Sequence, residues 1–387
     1  MKLLKISLPD WWKPLTKTTL LGLLLMSLSL GLSGAWWNFK WDFKFNFGNQ
    51  EPPRESRLPG GNAITDGRAL LRYSLPIDNQ PVRKIQASLE DISQQMRGKR
   101  WSPITSDITK AAVVLTSSDQ KLLADIPDAR KPQGEAIIAE IQAEIAKIRE
   151  AVEAKDKENV LIERGILLDK VGELEQLMVE EFPFEVPPEY SNLPQLKGRA
   201  TVEMTTEEGS LRMVVDGYNA PVTAGNFVDL VQRGFYDGLT FNRAEDNYIL
   251  QAGDPPGKAT GFIDPETGEY RGIPIEIMLK GDSEPVYEFT LEEIGRYREQ
   301  PVLPFSAYGT LAMARPAEDP NGGSSQFFFF LFQPELTPAG INFMDGRYSV
   351  FGYVVENKEL LRQLTRGDVI ESMRVIDGIE NLVEPQA

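Results

Sequence analysis

Asn321-Gly-Gly-Ser-Ser-Gln-Phe-Phe-Phe-Phe330 decides how this chain is read, because with Leu331 and Phe332 it ends in six consecutive apolar residues behind a glycine-serine turn. Side chains alternate across a strand, so a run with no polar position has to be covered on both faces. One set can fill a core. The other needs a pocket of its own, or a cap supplied by a helix or by the N-terminal part of the chain. Three more stretches surround it: Phe241-Asn-Arg-Ala-Glu-Asp-Asn-Tyr-Ile-Leu-Gln-Ala-Gly-Asp254, Gly309-Thr-Leu-Ala-Met-Ala314 and Asp345-Gly-Arg-Tyr-Ser-Val-Phe-Gly352. Before them, Thr201 to Thr206 and Leu211 to Val215 form a strand hairpin, and Pro221 to Arg233 a helix with Phe227, Leu230 and Val231 inward.

With 387 residues the chain can bury a sizeable core and has room for two domains or more. A formal charge of −16 argues against a phosphate-binding face, so nucleic acid is not an expected partner. Cysteine and histidine are both absent. That excludes disulfides, Ser-His-Asp and Cys-His catalysis and the usual zinc sites, and leaves arginine, carboxylates, amides and hydroxyls for any chemistry. No metal and no cofactor is expected.

The N-terminus has lysines at 2, 5, 13 and 17 before an uncharged, leucine-rich run from Thr19 to Ala35. This is an export pattern: a signal peptide ending near Ser33-Gly34-Ala35, or a retained membrane anchor over residues 1–35. Phe39, Trp41, Phe43, Phe45 and Phe47 then alternate with polar residues. Such a one-sided aromatic segment suits a membrane interface, giving membrane proximity through residues 19–47, or equally an edge strand. Residues 36–62 hold this segment and a Pro/Gly linker.

Residues 63–182 carry helical stripes: Val82, Ile85, Leu89, Ile92 and Met96; Ile104, Ile108, Ala111 and Leu115; Ile138, Ile141, Ile145, Ile148 and Val152; Leu167, Val171, Leu174 and Met178. A bundle of three to five helices buries all of them, with a coiled-coil dimer through the last two as the rival. Prolines 183, 187, 188 and 194 make 183–197 a linker.

The four stretches, in their order, resemble a cyclophilin over about residues 198–380. The resemblance implies a multidomain α and β protein in which the helical bundle precedes a closed antiparallel β-barrel with two capping helices and an external proline-binding groove. It also implies peptidyl-prolyl cis-trans isomerase activity on proline-containing polypeptides, with Arg243 as the catalytic donor and Gln251 as the amide that orients it. Tyr248, Ile249, Ala314, Arg315, Gln326, Phe328, Phe343, Met344 and Tyr348 match the substrate-binding positions. From the residues alone, Arg243 could instead be a surface cation paired with Glu245 or Asp246, and Gln251 a plain buried amide. Phe343 stands where many cyclophilins have tryptophan, Tyr348 and Asn242 where they have histidine, and Arg315 where they have asparagine. These departures imply weaker peptide binding, slower turnover and lower cyclosporin sensitivity.

Between Asp254 and Gly309 the chain is longer than a minimal cyclophilin and rich in acids. Asp264-Pro-Glu-Thr-Gly268 lacks a full calcium-ligand series, so a solvated acidic loop is expected. An exported bundle joined to a divergent cyclophilin resembles the large thylakoid-lumen cyclophilins with a PsbQ-like helical domain. That likeness implies a location in the thylakoid lumen or periplasm and a role in assembly and maintenance of photosystem II, with photosystem II subunits as partners. A binding module without useful turnover, its groove regulated by the helical domain, is the alternative.

Overall fold

The computed structural model describes residues 64–265, 267–332 and 342–385. The expected export segment and the whole of residues 36–62, with the aromatic segment and the linker, lie outside the described residues, as does Glu266 of the acidic loop. Among the described residues no helix is long and apolar enough to cross a membrane.

Helix α1, Gly67–Tyr73, is followed by four long helices: α2, Gln80–Arg97; α3, Trp101–Ser117; α4, Lys131–Glu153; and α5, Lys157–Leu177. Local sequence explains their ends. Asn79 caps α2 by accepting from the Val82 N–H at 3.0 Å, with Pro81 in the first turn, and Asp156 caps α5 through the Asn159 N–H at 3.1 Å. Every residue of the four sequence stripes is buried, and they pack into one cluster. The apolar faces are thus satisfied within a single copy, and burial requires no coiled-coil partner.

Chain direction and period change after residue 190. Strand β1, Gln195–Leu196, is followed by the hairpin β2, Arg199–Thr206, and β3, Gly209–Asp216, then helix α6, Pro221–Gln232. Next come β4, Arg243–Glu245; β5, Ile249–Ala252; β6, Glu276–Ile277; β7, Val286–Tyr287; β8, Thr310–Met313; β9, Phe327–Phe330; β10, Val350–Glu356; β11, Ile370–Asp377; and β12, Leu382–Val383. Eight of these strands form one antiparallel sheet in the order β11-β2-β3-β10-β8-β9-β5-β4. The curled sheet brings its two edges together at one isolated bridge, Thr240 to Val369. Its concave side is filled by Val202, Met213, Leu250, Leu311, Phe327, Phe329 and Phe351 and is closed by Phe227 of α6. At the other end the cap is a 3-10 stretch, Lys358–Arg362, burying Leu360 and Leu361. The second capping helix is thus a short one of the 3-10 type.

Two details differ from the simple picture of bundle, linker and barrel. The C-terminal part of the proline-rich segment is packed into the barrel: Tyr190, Leu193 and Leu196 join its core, and β1 pairs with β12. Helix α1 belongs by packing to the sheet, since Leu70 and Leu71 share a cluster with Phe328, Phe330 and Tyr353 on the convex face. A Cβ on Gly67 would stand 2.7 Å from the Tyr353 Cβ, so only glycine allows α1 this close. Arg199 of β2 donates to the Leu71 carbonyl and to Ser74 Oγ at 2.9 Å and pairs with Asp216 at 2.7 Å. From the bundle side Arg83 donates to the Arg72 and Leu75 carbonyls at 2.8 and 2.9 Å. The end of α1 is thus held from both directions by charge-assisted bonds to carbonyls at and just beyond its C-terminus.

Candidate active site

Strands β4, β5, β9 and β8 are neighbours, and their register puts Arg243 opposite Gln251, Gln251 opposite Phe328 and Phe328 opposite Ala312. Residues directly opposite across a ladder share a face, so these side chains form one row on the convex side. The next row, Leu250, Phe329 and Leu311, points into the core. Both faces of the apolar strand are therefore hidden, as its composition demands. Phe327 and Phe329 fill the interior; Phe328 and Phe330 lie under α1 and the segment around Phe305.

Above this row lies an open groove of ≈240 Å³. Its floor is Ile249, Ala314, Phe328 and Tyr348, and its polar wall is Arg243, Gln251, Gln326 and Arg315. Eight of the eleven residues singled out from the sequence thus line one cavity. Tyr248, Phe343 and Met344 gather beside it: Tyr248 stacks on Phe343 at 6.2 Å between centroids and its hydroxyl meets the Met344 sulfur at 3.4 Å. Burial raises the Tyr248 hydroxyl above its usual pKa, with smaller contributions from Tyr348 and Glu245. Phe343 is 62% exposed, a large ring in solvent at the edge of the site.

The polar wall is ordered by one amide. Gln326 Oε1 accepts from Gln251 Nε2 at 2.7 Å and from Asn242 Nδ2 at 3.0 Å, while Gln326 Nε2 donates to Asp254 Oδ1 at 3.0 Å and the Thr260 carbonyl at 2.8 Å. Gln251 is therefore tied to Gln326 and does not bond Arg243. Arg243 instead donates from Nε and Nη2 to Glu245 Oε1, at 2.8 and 2.5 Å. Gly253, with φ +95° and an ideal Cβ 2.3 Å from the Ser325 carbonyl, allows β5 to leave the sheet beside this network.

Sequence reasoning missed Asp254, Thr260 and Phe305. Phe305 lies nearly parallel to Phe328, 7° apart at 6.1 Å, and packs against the floor residue within the same cluster. It comes from the long acidic insertion, where no periodic signal marks it. Asp345 secures the same support by accepting from the Phe305 N–H at 2.8 Å and the Asn342 N–H at 3.0 Å. Burial pushes its carboxyl up to about 6, against the lowering by those two bonds. In the acidic loop, Asp264 accepts from the Thr267 N–H at 3.3 Å, a turn geometry, and no cluster of three or more potential metal ligands occurs among the described residues.

An uncharged apolar floor with a permanent cation and amides on one wall suits a reaction without proton transfer. Two family models match the chain: the PsbQ-like domain of CYP38-like peptidyl-prolyl cis-trans isomerases over residues 66–179, and the cyclophilin-type peptidyl-prolyl cis-trans isomerase over residues 201–384. A putative thylakoid lumen peptidyl-prolyl cis-trans isomerase of Synechocystis is 56% identical over 365 residues, covering 94% of both chains. The chloroplastic peptidyl-prolyl isomerases CYP38 and CYP37 of Arabidopsis thaliana are 44% and 33% identical, each over 86% of this chain and over 78% and 74% of their own lengths. With its groove, its cation and a barrel supported by an N-terminal helical domain, the chain belongs to the cyclophilin-type peptidyl-prolyl cis-trans isomerases of the CYP38-like kind.

Proposed function

We propose that Arg243, Gln251 and the floor around Phe328 isomerise X-Pro bonds in exported or membrane proteins of the thylakoid lumen, in the assembly and maintenance of photosystem II. The observation that carries this is the single row Arg243, Gln251, Phe328 on one sheet face, which sets a guanidinium beside an apolar seat for a proline ring. Amide resonance makes the rotation slow, with a barrier of about 18–20 kcal/mol. In the twisted state the proline nitrogen regains its lone pair, and an N–H of Arg243 stabilises it there more than in the planar ground state. Gln251, held by Gln326, has its carbonyl oxygen available to the substrate backbone. The lumenal setting is supported by the basic and apolar leader and by the names of the relatives; the photosystem partner rests on the likeness of the helical domain.

A second reading, a proline-loop binding module with little turnover, is favoured by one observation: the Arg243 charge is already matched by Glu245. Isomerisation of a proline peptide by the full chain and by Arg243→Ala separates the two. The enzyme reading expects a fall of about 10²-fold in kcat/KM. An unchanged rate with unchanged peptide affinity would leave the binding module standing. Cross-linking of the full chain to photosystem II subunits in lumenal extracts tests the partner.

A further inference from the structure

We propose that Arg315 sets substrate choice, favouring proline segments that carry an aspartate or glutamate close to the proline. The inference rests on the groove being the isomerase site. Two charged side chains line that groove, Arg243 and Arg315, and both are cations in a chain of net charge −16. Their circumstances differ. Arg243 is matched by a carboxylate; Arg315 is held by backbone carbonyls alone, from Nε and Nη2 to the Arg347 carbonyl at 3.0 and 2.7 Å and from Nη1 to those of Pro316 and Ala317 at 2.9 and 3.3 Å.

Carbonyl dipoles orient a guanidinium without neutralising it. Among the described residues no carboxylate oxygen lies within 4.0 Å of Arg315. Four of its five N–H groups are engaged, which leaves one on Nη2 for a ligand. The plane lies over the Tyr348 ring at 4.9 Å, and Tyr348 meets Phe328 edge-on at 5.4 Å. The charge therefore stands at a fixed place relative to the apolar floor. A carboxylate arriving there meets a cation whose side-chain entropy is already lost, which is the condition under which a partly exposed ion pair contributes. The field is felt nearby: the Glu293 carboxyl lies below its usual range, first through bonds from the Thr290 N–H and hydroxyl and in small part through Arg315.

The test uses the full chain and eight-residue peptides with one proline, in which Glu, Gln or Lys occupies in turn the two positions on either side of it. Exchange NMR reads isomerisation without a coupling protease. At low salt the Glu peptide should exceed its Gln counterpart about three- to fivefold in kcat/KM in at least one register, with Lys below Gln. That preference should shrink toward parity at about 0.5 M salt. Arg315→Gln should abolish the Glu/Gln ratio and Arg315→Lys should retain it; a general loss of groove geometry would lower both peptides and leave the ratio standing. Equal handling of Glu and Gln in all four registers overturns the proposal. If no peptide is turned over, the isomerase reading fails separately, and the Kd ratio of the same peptides by fluorescence anisotropy then decides the charge preference.

Discussion

Arg243 and Glu245 sit two residues apart on the same edge strand, and both nitrogens that Arg243 offers its neighbour converge on one carboxylate oxygen. With the side chains 49% and 45% exposed, water and salt screen the pair, and such pairs contribute about 0.2–1 kcal/mol. The cation is thus parked rather than buried, and a substrate can recruit it at small cost.

Glu245→Gln should therefore raise kcat/KM, by up to about fivefold, because the competing carboxylate is removed while the chain stays folded. Exchange NMR on a neutral proline peptide checks this. A fall in rate would mean that Glu245 aims Arg243 at the substrate.

Phe305→Ala should destabilise the protein by about 3–5 kcal/mol and raise KM, since it leaves a void beside Phe328 in a fully packed cluster. Denaturant unfolding together with steady-state kinetics measures both. An unaltered KM would show that the floor of the groove stands without this ring.

Gly67→Val should weaken the docking of α1, because the added side chain collides with Tyr353. The expected loss is about 1–3 kcal/mol, with faster amide exchange in 67–75 and in β10 while α2 to α5 stay protected. Uniform exchange across both parts would sink the assignment of α1 to the sheet.

Three buried carboxyls make stability depend on pH. Burial raises Glu276 from 4.5 to about 7, against bonds from the Thr223 and Val222 N–H groups; burial likewise raises Glu175 to about 7, against the Arg83 charge, and Asp345 from 3.8 to about 6. Between the unfolded and folded values the native state holds more protons, so the free energy of unfolding falls as pH rises through about 4–7. Tm should be higher near pH 5.5 than at pH 8, with Glu276 contributing about 2 kcal/mol between those values. In Glu276→Gln the dependence should flatten; an unchanged slope by thermal unfolding would assign it elsewhere.

Much of this molecule is legible in its sequence. The stripes from Val82 to Met178 imply helices with one face each to bury, in a bundle or a coiled-coil dimer, because of their 3.6-residue period, and the fold shows that one copy buries them all. The run Phe327 to Phe330 had to be covered twice because a strand has only two faces. Motif order singled out Arg243, Gln251 and nine further positions, of which eight in all line one groove. Other features join segments far apart in the chain, and no local period records such meetings. Among them are α1 lying on the sheet, Phe305 against Phe328, and Gln326 taking Gln251. Secondary structure and the reactive inventory follow from short-range patterning and residue chemistry; which of several nearby acceptors each cation takes is decided only in the folded chain, where Glu245 holds Arg243 and the Arg347 carbonyl, 32 residues away, fixes Arg315.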